Sequence, residues 1–274
     1  MAARVLRGVI AGADLGGTKL RIVVDGRIVL DAPTGPGIRP AELERLISAS
    51  LPAGTTALGL AIPGLVDVDT VVRSDVLPEI GGWKPLAALG LPGVVVNDAR
   101  AALAADVADL PADATAGVVM VGTGIGSSLL VHGRVLEGVG GHAGEFGSIP
   151  VEPDGTTLDM RASGAAILLA FGGSAAELHA RLAAGDADAR RLVEAAGSAL
   201  GRGLAGLVNL FNPARLTLGG GTLRYAGYVD AARAAAQAGS LGELWRMCEL
   251  REAADPDTLV ARGAALSASR STRR

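Results

Sequence analysis

Two stretches of the chain run through the same order of signals: strand, glycine–threonine turn, strand, Gly-Arg turn, strand. The first reads Gly12-Ala13-Asp14-Leu15-Gly16-Gly17-Thr18-Lys19 and continues through Leu20–Val24 to Asp25-Gly26-Arg27. The second reads Val118-Val119-Met120-Val121-Gly122-Thr123-Gly124-Ile125-Gly126 and continues to His132-Gly133-Arg134. Val24–Ile28 lines up with Val131–Val135. Two copies of this length imply duplicated βββ units, since a solenoid needs three or more short repeats. The copies differ at one chemically important place: Asp14 aligns with Val121, so only the first carries a carboxylate.

The turns themselves suit phosphate. Paired glycines such as Gly16 and Gly17 let backbone N–H groups come close to an anion. Thr18 and Lys19 add a hydroxyl and a point charge, and Asp14 can hold a metal ion or its water shell. Lys19 is one of only two lysines, with Lys84, so it does not belong to a generic basic surface. A Walker-type loop or a dinucleotide fingerprint would need a helix after the glycines, whereas here alternating β-branched residues follow. An ordinary hairpin turn is the competing reading.

Composition narrows the classes further. A net charge of −3 argues against a nucleic-acid surface, which needs basic patches. No apolar run reaches membrane-spanning length, and the first strand is expected to begin so near Met1 that a signal peptide finds no room. Arg270, Arg273 and Arg274 read as a small solvated tail. The single cysteine, Cys248, excludes an intrachain disulfide framework and reads as a packed thiol in a helix. These points together suggest a cytoplasmic enzyme.

Periodicity and turn signals place strands near 5–13, 20–24 and 27–31, a helix over 41–48, and a short buried strand over 56–61. Residues 63–92 read as loop-rich, broken by Pro63, Pro78, Pro85 and Pro92. A strand at 94–96 leads into a helix from Asp98 to Ala108, with a helix cap as the competing, purely structural role for Asp98. Helices follow near 161–171, 174–184 and 187–210, then a strand at 216–218 ending in Gly219-Gly220-Gly221, helices near 227–237 and 240–251, and a last one over 259–268. Alternating strand and helix signals indicate an α/β class.

Six segments in sequence, Asp14–Lys19, Pro63–Asp67, Val94–Asp98, Gly122–Gly126, Gly141–Gly147 and Leu207–Gly221, resemble the motifs of the ROK family of sugar kinases. That family belongs with the actin-like, hexokinase-type ATPases. The resemblance implies a two-lobed, ribonuclease H-like fold of duplicated βββαβα units with a central interlobe cleft. It implies a smaller lobe over 1–97, rejoined by 260–274, and a larger one over 98–259. It assigns Asp98 as the general base, and Asn97, Gly64 and Glu145 as substrate contacts. ATP would be held by Asp14, Gly16, Gly17, Thr18 and Lys19, by Gly122, Thr123 and Gly124, and by Gly219, Gly220 and Gly221 against the adenosine. Asp14 would orient Mg²⁺, and a homodimer is implied.

The chain departs from the family in its substrate half. Ser148 replaces a histidine that touches both sugar and zinc, and the C-x-C-G-x-x-G-C-x-E loop is missing, with Pro153–Thr157 running straight into Leu158-Asp159-Met160. Asp159 then stands where a sugar-contacting Glu is expected. With Cys248 alone and His132, His142 and His179 scattered, no zinc site is expected. His142 reads as a surface residue. Arg100 replaces a second Asn, Asp106 is the acid ending that helix, and the usual Pro-Asn-Leu element blurs into Ser74–Pro78. The expected substrate is therefore not simply glucose but an amino sugar, a rarer hexose or a cyclitol. A repressor would need an N-terminal helix-turn-helix, which the early first strand disfavours. A non-catalytic ligand-binding relative or sensor is the alternative.

Overall fold

Each glycine turn closes a hairpin between the first two strands of a five-stranded sheet. The computed structural model describes residues 8–272, so the expected start of the first strand at residues 5–7 lies outside them, as do Arg273 and Arg274. The chain divides into two compact units, residues 1–109 with 255–274, and residues 110–254.

In the first unit, β1 (Val9–Leu15), β2 (Lys19–Val24) and β3 (Arg27–Pro33) form the meander. There follow α1 (Pro40–Ser50), β4 (Thr55–Ile62), the small hairpin β5 (Leu65–Asp67) and β6 (Thr70–Arg73), α2 (Pro85–Leu89), β7 (Gly93–Asn97) and α3 (Asp98–Asp106). The hairpin and α2 occupy the segment read as loop: their strands are too short and proline-bounded to show an alternating pattern. The sheet order is β3-β2-β1-β4-β7, with β1, β4 and β7 parallel.

The second unit opens with β8 (Ala116–Val121), β9 (Ile125–Val131) and β10 (Arg134–Val135). Helices α4 (Leu158–Ala162), α5 (Gly164–Phe171), α6 (Ala175–Ala183) and α7 (Ala187–Phe211) lead to β11 (Arg215–Gly219), α8 (Tyr228–Gly239), α9 (Gly242–Met247) and β12 (Glu249–Glu252). Its sheet, β10-β9-β8-β11-β12, repeats the first in both order and strand direction. Both Gly-Arg turns carry positive φ at their two central residues, 48° and 76° at Asp25-Gly26 and 47° and 73° at His132-Gly133, the backbone of a two-residue hairpin.

Two helix expectations need correction. The single helix over 161–171 is two, because Ser163 leaves the helical backbone and its hydroxyl caps α5 by accepting the Ala166 N–H at 3.2 Å. The helix over 240–251 ends at Met247, and Glu249–Glu252 pairs with β11 as a parallel edge strand. Only Leu250 of that strand is buried, so its charged alternation gave no strand signal. Cys248 therefore links α9 to β12 instead of lying in a helix; burial pushes its thiol up to about 11, in keeping with a packed side chain.

The chain closes with α10 (Leu259–Ser271), which returns to the first unit and lies on β1, β4 and α3. Glycines floor this contact. A Cβ on Gly12 would fall 1.9 Å from the Ala261 carbonyl oxygen, one on Gly59 1.9 Å from that of Ala264, and one on Gly263 1.7 Å from that of Ala101. Because α3 packs on α10, residues 98–109 belong to the first unit, where the expected boundary at 97/98 would have put them in the second. Beneath lie Leu15, Leu20, Ile22, Leu58, Leu60 and Ile62, all fully buried. In the second unit α7 meets α8 in the same manner, through Gly197 against the Tyr228 carbonyl and Gly201 against that of Ala232.

Close packing on bare backbone has a measurable signature. Gly59→Ala should cost about 1–3 kcal/mol or more, since neither partner is a side chain that can swing aside. Gly206→Ala, in the body of α7 where a Cβ meets nothing within 4 Å, should instead stabilise by about 0.5–1 kcal/mol. Urea unfolding of both variants checks the pair, and equal midpoints would contradict the packing.

Candidate functional site

The parallel strands β1, β4 and β7 deliver their carboxyl ends to one edge of the first sheet. Register pairs Asp14 with Ala61 and Ile62 with Asn97. Asp14, Pro63-Gly64 and Asn97-Asp98 thus gather where open α/β sheets collect ligands. Counted from the last paired residues of each hairpin, Asp14 matches Met120, the neighbour of Val121, so the second sheet offers no carboxylate at this place.

Asn97, not Asp98, caps α3. Its Oδ1 accepts the N–H groups of Ala99 at 3.0 Å and Arg100 at 3.4 Å, while its Nδ2 donates to the Gly64 carbonyl at 3.3 Å. The cap needs extended backbone, which Asn97 has as the last residue of β7, whereas Asp98 is already helical. The Asp98 carboxylate therefore stands in the first helical turn, where unpaired backbone dipoles stabilise negative charge, and its Oδ1 accepts the Ala99 N–H at 2.8 Å.

The Asp14 carboxyl is strongly perturbed. Burial, then the neighbouring Asp98 charge, pushes it from 3.8 up to about 7, against the opposing pull of Lys19 and Arg21. Those cations have other obligations. The Arg21 side chain, 8% exposed, donates from Nη2 to Asp31 at 2.6 Å and from Nη1 to the Asp257 carboxylate at 3.0 Å, and also meets the Asp257 carbonyl. Lys19 Nζ lies 3.7 Å from the same Asp257. Asp257 and Asp31 carried no motif, and only the return of α10 to this sheet brings Asp257 to Lys19.

The first glycine turn is tight: the Gly16 N–H donates to the Lys19 carbonyl at 2.8 Å, and the Thr34 hydroxyl to the Gly16 carbonyl at 2.7 Å. Thr18 is exposed at its tip. Gly17 is bare because Val76 lies over it, a Cβ there falling 2.2 Å from the Val76 side chain. Gly64 has φ +146° and faces the Arg73 carbonyl. The buried Ser74 pins the two segments together, donating to the Pro63 carbonyl at 2.5 Å and accepting the Leu77 N–H at 3.1 Å. In sequence Ser74 looked like part of a blurred motif; a buried hydroxyl has no periodic signal.

In the second unit, the Gly122–Gly126 turn is held from behind. The Gly122 carbonyl accepts the Gly164 N–H at 2.8 Å and the Thr222 hydroxyl at 3.0 Å, and the Thr123 carbonyl accepts the Ala165 N–H at 3.2 Å. Across a planar trans peptide each carbonyl opposes the next N–H, so the Thr123 and Gly124 N–H groups are turned away from α5. That is the orientation a phosphate cradle requires. Of the glycine triplet, Gly220 is bare because its φ of +105° brings it against the Val121 carbonyl, 2.2 Å from a would-be Cβ, whereas a Cβ on Gly221 would meet nothing within 4 Å. Gly219 is the buried last residue of β11.

The expected substrate segment lies on the same unit. Gly144, with φ +110°, is pinned to β9 by the Ser127 N–H at 3.0 Å and its hydroxyl at 3.1 Å. This leaves Glu145 and Ser148 exposed at either end of a short 3₁₀ turn, and His142 is exposed as expected. Asp159 is placed differently from an exposed sugar contact: it is half-buried and its Oδ1 accepts the Ile125 N–H at 2.6 Å. Burial raises its pKa, partly opposed by that hydrogen bond.

Among the described residues no group of three or more His, Cys, Asp or Glu stands ready to hold a metal ion. Asp14 and Asp98 instead suit a hydrated divalent cation that arrives with a polyphosphate and needs one or two carboxylates. No helix among them is long and apolar enough to cross a membrane.

The chain is similar to known proteins along most of its length. The ROK family model matches residues 10–271. The bifunctional enzyme NanE/NanK of Brucella melitensis is 33% identical over 245 residues, 81% of this chain and 47% of that protein, so the chain spans about half the length of that relative. The N-acetylmannosamine kinase of Escherichia coli (strain HS) is 32% identical over 201 residues, 67% of this chain and 68% of that protein. A ROK family glucokinase from Streptomyces griseus, solved with glucose and AMPPNP, is 26% identical with a TM-score of 0.78, covering 96% of this chain and all of that one (100%).

The Asp14 carboxyl makes stability depend on pH in a definite direction. The folded chain keeps this proton up to about pH 7, while an unfolded aspartate releases it near 3.8. The folded state thus binds more protons between those values, and its stability falls as pH rises through about 7. Asp14→Asn should match the parent below about pH 4 and exceed it at pH 8 by on the order of a few kcal/mol. Urea unfolding at the two pH values checks this; a difference independent of pH would contradict it.

Proposed function

The chain belongs to the ROK family, and from that premise we propose that it is an ATP-dependent kinase acting on a hydroxyl of a sugar or sugar-like polyol. The observation that carries this reading is the exchange of roles at the β7–α3 junction. With Asn97 serving as cap, Asp98 stands beside Asp14 at the carboxyl edge of the sheet. Phosphoryl transfer demands positioning and charge neutralisation more than covalent chemistry, and both units supply such groups.

Asp98 takes the proton of the attacking hydroxyl as its oxygen forms the new bond to the γ-phosphorus. The bond between that phosphorus and the β,γ-bridging oxygen breaks, and ADP leaves with the electron pair. Asn97, through its bond to Gly64, fixes the junction from which Asp98 acts and offers the adjacent substrate contact. Thr18, Lys19 and the N–H groups of Thr123 and Gly124 hold phosphate oxygens, and Gly221 leaves an open backbone for the adenosine. Magnesium bound with the nucleotide would neutralise phosphate charge, held by Asp14 or through its water shell.

Glu145 and Ser148 are the acceptor contacts of this reading. The E. coli relative is an N-acetylmannosamine kinase, and the S. griseus structure holds glucose. With serine at 148 and a short turn over 152–157 in place of the cysteine loop, amino sugars, rarer hexoses and cyclitols fit this chain better than glucose, and no zinc is invoked. A homodimer completes the proposal.

ADP release across hexoses, N-acetylhexosamines and cyclitols tests it. One preferred acceptor is expected, with turnover falling about 10²–10⁴-fold in Asp98→Asn while Mg-AMPPNP still binds. Turnover surviving in Asp98→Asn would remove the assigned base. Silence across the panel with nucleotide bound would favour a non-catalytic sensor.

A further inference from the structure

Asp159 is a carboxylate of the second unit that touches the phosphate turn. Its Oδ1 accepts the Ile125 N–H at 2.6 Å, where the turn re-enters β9. The carboxylate also lies against Gly124, whose would-be Cβ is 3.6 Å from Oδ1, an ordinary contact. On its other side is Gly147, where a Cβ would fall 2.5 Å from the Asp159 Cγ and Oδ1 and 2.5 Å from the Ile125 carbonyl oxygen. Gly147 is thus bare to let Asp159 reach Ile125.

The position of Asp159 is set by its own helix. Leu158 is fully buried, the Thr157 hydroxyl accepts the Met160 N–H at 3.4 Å, and the Ser163 N–H donates to the Asp159 carbonyl at 3.3 Å. The next residue, Gly164, donates to the Gly122 carbonyl. The α4–α5 corner therefore grips the turn at both ends: main chain at Gly122 and Thr123, and the Asp159 side chain at Ile125.

We propose that Asp159 is a positioning residue that holds the Gly122–Gly126 turn in its phosphate-binding shape. The proposal rests on reading that turn as the nucleotide-phosphate element of a kinase. It makes the carboxylate's acceptor oxygen, and not its charge, the feature that matters. Asparagine presents an oxygen at the same distance along the side chain, so Asp159→Asn keeps the clasp and Asp159→Ala removes it.

Calorimetric titration with Mg-AMPPNP, in the absence of any acceptor, separates the cases, accompanied by exchange of the Ile125 amide followed by NMR in the full chain. Asp159→Ala should weaken nucleotide binding about tenfold, on the scale of a lost hydrogen bond to a charged group, and expose the Ile125 amide to exchange. Asp159→Asn should bind within about threefold of the parent and keep that amide protected. Parent-like nucleotide affinity in Asp159→Ala, or an Asp159→Asn variant as weak as Asp159→Ala, would overturn the proposal while leaving the kinase reading intact. Failure of the parent protein itself to bind Mg-AMPPNP would remove the kinase reading, and this proposal with it.

Discussion

Helix α10 rests on bare backbone, and the chemistry of the first unit depends on that contact. Glycines at 12, 59 and 263 let the helix approach β1, β4 and α3 so closely that carbonyl oxygens occupy the space of absent methyl groups. The same approach brings Asp257, just ahead of α10, onto Arg21 of β2 and within reach of Lys19. A buried guanidinium with two carboxylate partners is weak evidence for net stability, but losing both partners would strand its charge. Its consequence is positional: the strand that carries Asp14 is clamped between an ion-paired β2 and a glycine-floored β4.

That clamp explains why Asp14 holds a proton near neutrality. Arg21 is shared between Asp31 and Asp257, and Lys19 leans on Asp257, so the nearby positive charge is largely spent on other acids. Burial and Asp98 then dominate. Two carboxylates gathered at one sheet edge resist being ionised together unless a cation joins them. On the kinase reading proposed above, a cation arriving with the nucleotide would offset this repulsion. In the second unit, taken by itself, the glycine turn presents backbone N–H groups, and the Asp159 carboxylate accepts the Ile125 N–H at its end.

The duplication was legible because it lies in local patterns. Each copy pairs β-branched alternation with a glycine turn and a two-residue Gly-Arg hairpin, and the two sheets repeat one strand order. What stayed hidden depends on distant partners. Asn97 and Asp98 are both good caps by residue type, and only the end of β7 decides between them. The Glu249–Glu252 strand exists because β11 offers a free edge, with a single buried leucine to show for it. Ser74, Thr222 and Asp257 act through tertiary hydrogen bonds and ion pairs that carry no sequence period. Asp159 was read from its place in a motif, and its hydrogen bond from the distant Ile125 N–H had no signal in the sequence.

The most direct test of the account is the titration of the Asp14 carboxyl carbon by NMR, with and without saturating Mg-AMPPNP. The account requires a midpoint near 7 in the protein alone and a fall of at least about one unit when the nucleotide and its cation bind. A midpoint near the ordinary 3.8 in the free protein, or one that bound Mg-AMPPNP leaves unmoved, would contradict the claim that this edge is built to receive a cation.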